Sequence, residues 1–109
     1  MPSLYAQYIA ERESFSILET DKGFATYRTS SHICYLRDIF VLPEYRKEHY
    51  ATFLADMVTR IAKELGCTIL RGSVDCQTNN WNASCQVLEA YGMHVVEAGP
   101  YHAFYEKEI

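Results

Sequence analysis

The chain has 109 residues, of which 49% are hydrophobic and 22% charged; that is room for one domain of ordinary size and a composition that excludes a disordered or membrane-embedded chain. Ten Lys and Arg against fourteen Asp and Glu leave a net charge of −4 with no basic run of five or more, which argues against a nucleic-acid-binding surface. No apolar run approaches the ~18 residues of a membrane-spanning helix, and the N-terminus lacks the basic-then-apolar pattern of a secretory leader, so the expectation is a cytoplasmic protein.

Residues 3–12 place Leu4, Tyr5, Tyr8 and Ile9 at helical spacing behind Ser3 as a candidate cap. Phe15–Thr20 then reads as a strand, Asp21-Lys22-Gly23 as a tight turn and Phe24–Arg28 as the hairpin partner. A second turn, Thr29–His32, leads into a strand over 33–41, and three strands joined by short turns are expected to be antiparallel neighbours. From Tyr50 to Leu65, Phe53, Leu54, Met57, Val58, Ile61, Ala62 and Leu65 recur one, three and four apart. That is the strongest helix pattern in the chain, with Gly66 standing at the C′ position.

Cys67–Val74 reads as a further strand. Strand, loop, helix and strand in that order predict that 34–41 and 67–74 run parallel in one sheet. Asp75–Asn80 is a polar loop, and Asn80 and Asn82 are both candidate caps for a second helix. That helix carries Ala83, Val87, Leu88 and Tyr91 on one face and is closed by Gly92. His94–Glu97 and Tyr101–Lys107 are expected as two last strands around Gly99-Pro100. The predicted order is α-β-β-β-α-β-α-β-β, an α/β fold with a mixed sheet, in a single domain over 1–109.

Cys34, Cys67, Cys76 and Cys85 form no C-x-x-C pair and none lies at finger-like spacing from a His, so reduced thiols and no metal are expected. Cys34 and Cys67, in apolar runs, read as core; Cys76 and Cys85, in polar surroundings, as more exposed. His32, His94 and His102 fall in turns or at strand ends and read as surface. Trp81 beside the second helix's cap reads as an aromatic staple onto that helix.

The stretch from Cys34 to Ala51 organises the rest. It is an apolar strand that stops at Pro43 and feeds through a charged loop into a helix starting near His49. A helix N-terminus presents unpaired N–H groups and positive dipole at one spot and can hold a phosphate. Within this stretch Phe40-Val41-Leu42-Pro43-Glu44-Tyr45-Arg46 resembles the Val-x-Pro-Glu-Tyr-Arg approach to the R/Q-x-x-G-x-G/A loop of the GNAT superfamily of acetyl-CoA-dependent N-acetyltransferases. Asn82-Ala83-Ser84 through Val87-Leu88-Glu89-Ala90-Tyr91-Gly92-Met93 resembles that family's Asn-x-Ala-Ser to Leu-Glu-Lys-Leu-Gly-Phe helix. Element order agrees over 14–107, and the chain is shorter at its N-terminus than typical members.

The resemblance implies that the strand of 34–41 diverges from that of 67–74 and that the pantetheine arm of acetyl-CoA, the expected co-substrate, enters the gap along Ile39, Phe40 and Val41. It also implies that Arg46, Lys47, Glu48, His49, Tyr50 and Ala51 surround the pyrophosphate, and that Asn82 belongs to the cofactor site. The family prefers Gly at the first small position of that loop, where this chain has His49, and Glu48 places a carboxylate nearby. A Tyr of the second helix is the family's common general acid; Leu88 occupies that place, with Tyr91 one turn on. Asp38 is the candidate base, in the region where the polyamine acetyltransferases carry an acidic pair and this chain has Arg37 first. The implied reaction is direct attack of a primary amine, on a small molecule, a lysine or a protein N-terminus, with a homodimer as a possible assembly. A non-catalytic binding protein with a degenerate loop is the alternative.

Overall fold

The structure, a computed structural model, describes residues 3–46, 48–79 and 81–109. Lys47, Asn80 and the side chain of Ala83, all named above, lie outside the described residues. In chain order the elements are α1 (Leu4–Glu13), β1 (Ser16–Glu19), β2 (Gly23–Ser30), β3 (Ile33–Val41), a 3-10 turn over Pro43–Tyr45, α2 (Tyr50–Glu64), β4 (Ile69–Asp75), α3 (Trp81–Ala90), β5 (His94–Ala98) and β6 (His102–Glu108). This is the predicted order, in a mixed sheet arranged β1-β2-β3-β4-β6-β5.

Local chemistry sets the ends of the helices. The Ser3 hydroxyl accepts from the Ala6 amide at 3.0 Å and caps α1. Gly66 and Gly92 take φ of +88° and +95°, the left-handed turn that ends a helix at low cost only in glycine. Behind each, the next amide reaches back into the last turn, Cys67 N to Ala62 O at 2.9 Å and Met93 N to Leu88 O at 3.0 Å. That bond commits Cys67 to the helix ending, so β4 starts at Ile69 rather than at Cys67 as the apolar run suggested.

β2 pairs antiparallel with β1 and β3, while β3 and β4 run parallel from Ile33↔Ile69 to Leu36↔Gly72. α2 and α3 cover one face of the sheet. Leu54, Ala55, Val58 and Ala62 of α2 meet Cys34, Leu36, Leu70 and Val74 in one buried cluster that also takes in Cys85 of α3. Cys85 is therefore core rather than exposed, because it falls on the turn of α3 that faces the sheet. Phe53 and Leu65, by contrast, are 47% and 62% exposed: the apolar pattern of α2 is wider than the face the sheet can cover. α1 packs on the opposite face, beside β1, burying Ala6 and Ile9. Much of that second face stays open.

Truncating Leu54, which is fully buried, should lower unfolding free energy by about 3 kcal/mol through lost burial and a residual cavity. Phe53→Ala, on the same helix but half exposed, should cost less than about 1 kcal/mol. Urea denaturation of the two variants checks the assigned face.

Candidate functional site

The register of β3 contains the site's origin. Thr26 of β2 pairs with Asp38, but the next residue, Tyr27, pairs with Leu36, so Arg37 is an extra residue on β3. A bulge of this kind bends its strand and raises the local twist. The parallel ladder to β4 stops at Leu36↔Gly72, the residue before the bulge. From there the two strands part, and the backbone of β3 loses its partner on the β4 side.

A cleft of about 330 Å³ opens where they part. Its walls are Leu36 to Ile39 of β3, Gly72 to Val74 of β4, Ala51 on the first turn of α2, and Ser84, Val87 and Leu88 of α3. An apolar crevice continues between the helices to Tyr91 and Met93. The unpaired edge can bond to a chain carrying amides, and the first amides of α2, which have no intrahelical acceptor, stand at the same end with the positive pole of the helix.

At the mouth, Asp38 is held from two sides. Thr26, 1% exposed, donates its hydroxyl to Asp38 Oδ2 at 2.8 Å and accepts from the Asp38 amide at 3.1 Å. Arg37 Nε donates to the same oxygen at 3.0 Å, and Arg37 Nη1 donates to Glu13 Oε1 of α1 at 2.8 Å. Burial alone would lower the Arg37 guanidinium, but its hydrogen bonds to Glu13 and Asp38 and their charges outweigh that and raise it further. The side chain of Asp38 stays half exposed at the cleft mouth.

The expected site residues divide. Asp38, Ile39 and Ala51 line the cleft. Phe40 turns its ring away from it, stacked on Phe24 at 5.6 Å, and the side chain of Val41 is buried. Arg46 folds back, its Nε donating to the Val41 carbonyl at 2.9 Å. Tyr50 donates its hydroxyl to Thr20 Oγ1 at 2.7 Å and ties α2 to the β1–β2 turn. Glu48 and His49 are exposed, and Asn82 is exposed on the first turn of α3. His49 precedes α2 with φ 58° and no side-chain capping bond, a left-handed conformation that costs about 1–2 kcal/mol in a non-glycine residue.

Tyr91 lines the crevice, and its hydroxyl donates to Asp56 Oδ1 of α2 at 2.6 Å. Burial and then that bond to a carboxylate push its pKa up to about 12. Lys22 was not anticipated. The β1–β2 turn brings its ammonium to 4.9 Å from the Tyr45 ring and 5.7 Å from the Tyr50 ring, beside the start of α2. Only the pairing Gly23↔Val41 puts it there, and no local pattern signals that. Ser84, part of the Asn82-Ala83-Ser84 motif but not among the expected site residues, also lines the cleft, beside Val87 and Leu88.

Comparison with known proteins bears on this same arrangement. A model described as the Acetyltransferase (GNAT) family matches residues 3–93. No curated protein matches the chain in sequence. Among solved structures, the chain superposes on the PaiA N-acetyltransferase of Thermoplasma acidophilum in complex with coenzyme A with a TM-score of 0.76 at 18% identity, over 97% of this chain and 69% of that one. Ard1 from Thermoplasma volcanium gives 0.74 at 17% identity, over 97% and 78%. A Bacillus subtilis acetyltransferase in complex with CoA gives 0.72 at 10% identity, over 94% and 83%. At these identities the likeness is one of fold.

Because folding raises the Tyr91 pKa above its ordinary value of 10, the unfolded chain releases this proton first. The associated stability is complete below pH 10 and is lost between pH 10 and about 12. Tyr91→Phe should make the alkaline decline of stability shallower over that interval, as followed by urea unfolding at stepped pH.

Proposed function

The chain belongs to the acetyltransferase (GNAT) family, and on that premise we propose that it moves an acetyl group from acetyl-CoA to a primary amine by direct attack. The observation that carries this reading is the parting of β3 from β4 at the Arg37 bulge, beside the N-terminus of α2. The pantetheine arm of acetyl-CoA fits the cleft as an extended, amide-bearing chain along Ile39, Phe40 and Val41. Its pyrophosphate falls to the amides of Tyr50 and Ala51, with Lys22 and Arg46 as nearby cations. Two of the similar solved structures are complexes with coenzyme A, which supports coenzyme A as the ligand.

The thioester then sits near Asp38. Asp38 takes a proton from the ammonium, directly or through a water; the nitrogen lone pair attacks the carbonyl carbon; the adduct's nitrogen gives up a second proton to water, and the adduct collapses to the amide with cleavage of the C–S bond. The leaving thiolate, with an ordinary thiol pKa near 8.5, is stable enough to depart without a strong acid and takes its proton from solvent. A phenol held at about 12 against Asp56 is a poor donor to it. Tyr91 is thereby assigned to bracing α3 on α2 beside the cleft, in place of the acid role its position in the sequence suggested. Holding thioester and amine together supplies much of the rate.

The geometry at His49 favours a second reading, a binding protein whose loop no longer admits the phosphates. The two readings part in one experiment, isothermal titration with acetyl-CoA and with CoA. Micromolar affinity, about −8 kcal/mol, is the expected result; no binding up to millimolar would leave only the fold in common. His49→Gly should tighten acetyl-CoA several-fold. Its effect on stability should stay within about 1 kcal/mol, since relief of left-handed strain is offset by the freer unfolded chain. Asp38→Asn should retain acetyl-CoA binding and lower kcat by about 10²–10⁴-fold, read as CoA thiol released with an amine panel.

A further inference from the structure

The sheet face that α1 leaves open holds a second pocket, of about 370 Å³, with Arg28, Ser30, Ser31, Tyr35, Arg71 and Phe104 in its walls. Cross-strand partners project from the same face. Thr26 partners Asp38, Arg28 partners Tyr35, and Tyr35 partners Arg71, so this pocket and the carboxylate of Asp38 share one face. They also touch. Tyr35, in the pocket wall, is hydrogen-bonded at 2.6 Å to Ser73, in the wall of the cleft.

Three guanidinium groups lie on this face, and they are not equally compensated. Arg37 is paired with Glu13 and Asp38. Arg71 donates through Nε to Glu106 at 2.7 Å. Arg28 has no carboxylate partner among the described residues; it rests 4.8 Å from the Phe15 ring, which also carries Arg37 at 3.9 Å. With Arg37 and Arg71 already paired, Arg28 is the guanidinium of the three whose fork, among the described residues, stays open to an incoming anion. The serine hydroxyls of Ser30 and Ser31 and the fork of Arg28 are the donors a carboxylate or phosphate needs.

We propose that this pocket receives the anionic end of the acetyl acceptor: a small amine bearing a carboxylate or phosphate, its nitrogen at Asp38 and its anion on Arg28, Ser30 and Ser31. The inference rests on the acetyl-transfer reading of the cleft. Arg28 stands two residues along β2 from Thr26, the residue that holds Asp38, so nitrogen and anion are separated by about 7–10 Å. A polyamine would bring a second ammonium against Arg28 and is disfavoured.

The probes are 5-aminopentanoate and 3-aminopropyl phosphate, with pentylamine and 1,5-diaminopentane as the neutral-tailed and cationic controls of similar reach. Each is titrated into the protein with and without CoA and followed by amide chemical shifts, and each is assayed for CoA thiol release with acetyl-CoA. The expected result is shifts at Arg28, Ser30 and Ser31 from both anionic probes alone, and at least tenfold higher kcat/KM for an anionic probe than for pentylamine, carried by KM. Arg28→Gln should erase that ratio and the shifts, and Arg28→Lys should restore part of both. The better of the two anionic probes identifies carboxylate or phosphate as the natural group. Equal or better binding or turnover of either control overturns the proposal, as does an anionic preference unchanged by Arg28→Gln. Acetyl-CoA binding with transfer that does not discriminate among the amines condemns this pocket alone. Failure of acetyl-CoA to bind, with no thiol release from any amine, overturns the transfer reading and with it the acceptor assignment, whereas the CoA-free titration still reports whether Arg28 binds anions.

Discussion

One extra residue in β3 governs the rest of this molecule. With Arg37 bulged between Leu36 and Asp38, β3 cannot remain regular against β2 and β4 at once. It stays with β2, where the paired hydrogen bonds between Thr26 and Asp38 hold it, and it leaves β4 at Gly72. Had the ladder continued, the backbone groups of both strands would be satisfied and no cleft would exist. The bulge exchanges a few sheet hydrogen bonds for an open edge, and that edge is where a ligand's amides can bond.

The bulge also joins the two faces of the sheet, which have opposite characters. Below it lies the apolar core under α2 and α3, where Leu54, Val58 and Leu70 are fully buried. Above it lies a face rich in charge, on which Glu13, Arg37 and Asp38 form a chain from α1 to the cleft mouth. The cleft runs from one to the other. An apolar arm with amides suits its lower part and a charged reactant its upper part. A net charge of −4 conceals this, because on this face Glu13, Asp38 and Glu106 are taken up by Arg37 and Arg71, while Arg28 has no carboxylate partner among the described residues.

The elements were legible because their signals are local. Spacing in 50–65, a serine before the first helix and glycines after the other two fix helices whose ends depend on neighbours within one turn. The predicted parallel pairing followed from element order alone. What misled was also local: Phe53 and Leu65 fit the helical stripe of α2, yet the sheet beneath is too narrow to cover them. Cys85 looked polar by its neighbours but faces the core. Asp38 could be singled out in the chain, whereas its partners Thr26 and Glu13, twelve and more residues away, could not.

Sequence alone thus determined the order of helices and strands, the mixed sheet, the family resemblance and a strand-loop-helix junction suited to a phosphate, since each arises from periodicity, caps and short motifs. Only the tertiary structure decided that β3 carries its extra residue at Arg37, that Arg46 turns back onto Val41, that Lys22 reaches the start of α2, and that Arg28 stands in the second pocket with no carboxylate partner among the described residues. Those outcomes depend on cross-strand register. Register is a balance among many distant pairings, and a shift of one residue moves every side chain to the other face while leaving the local pattern of the chain unchanged.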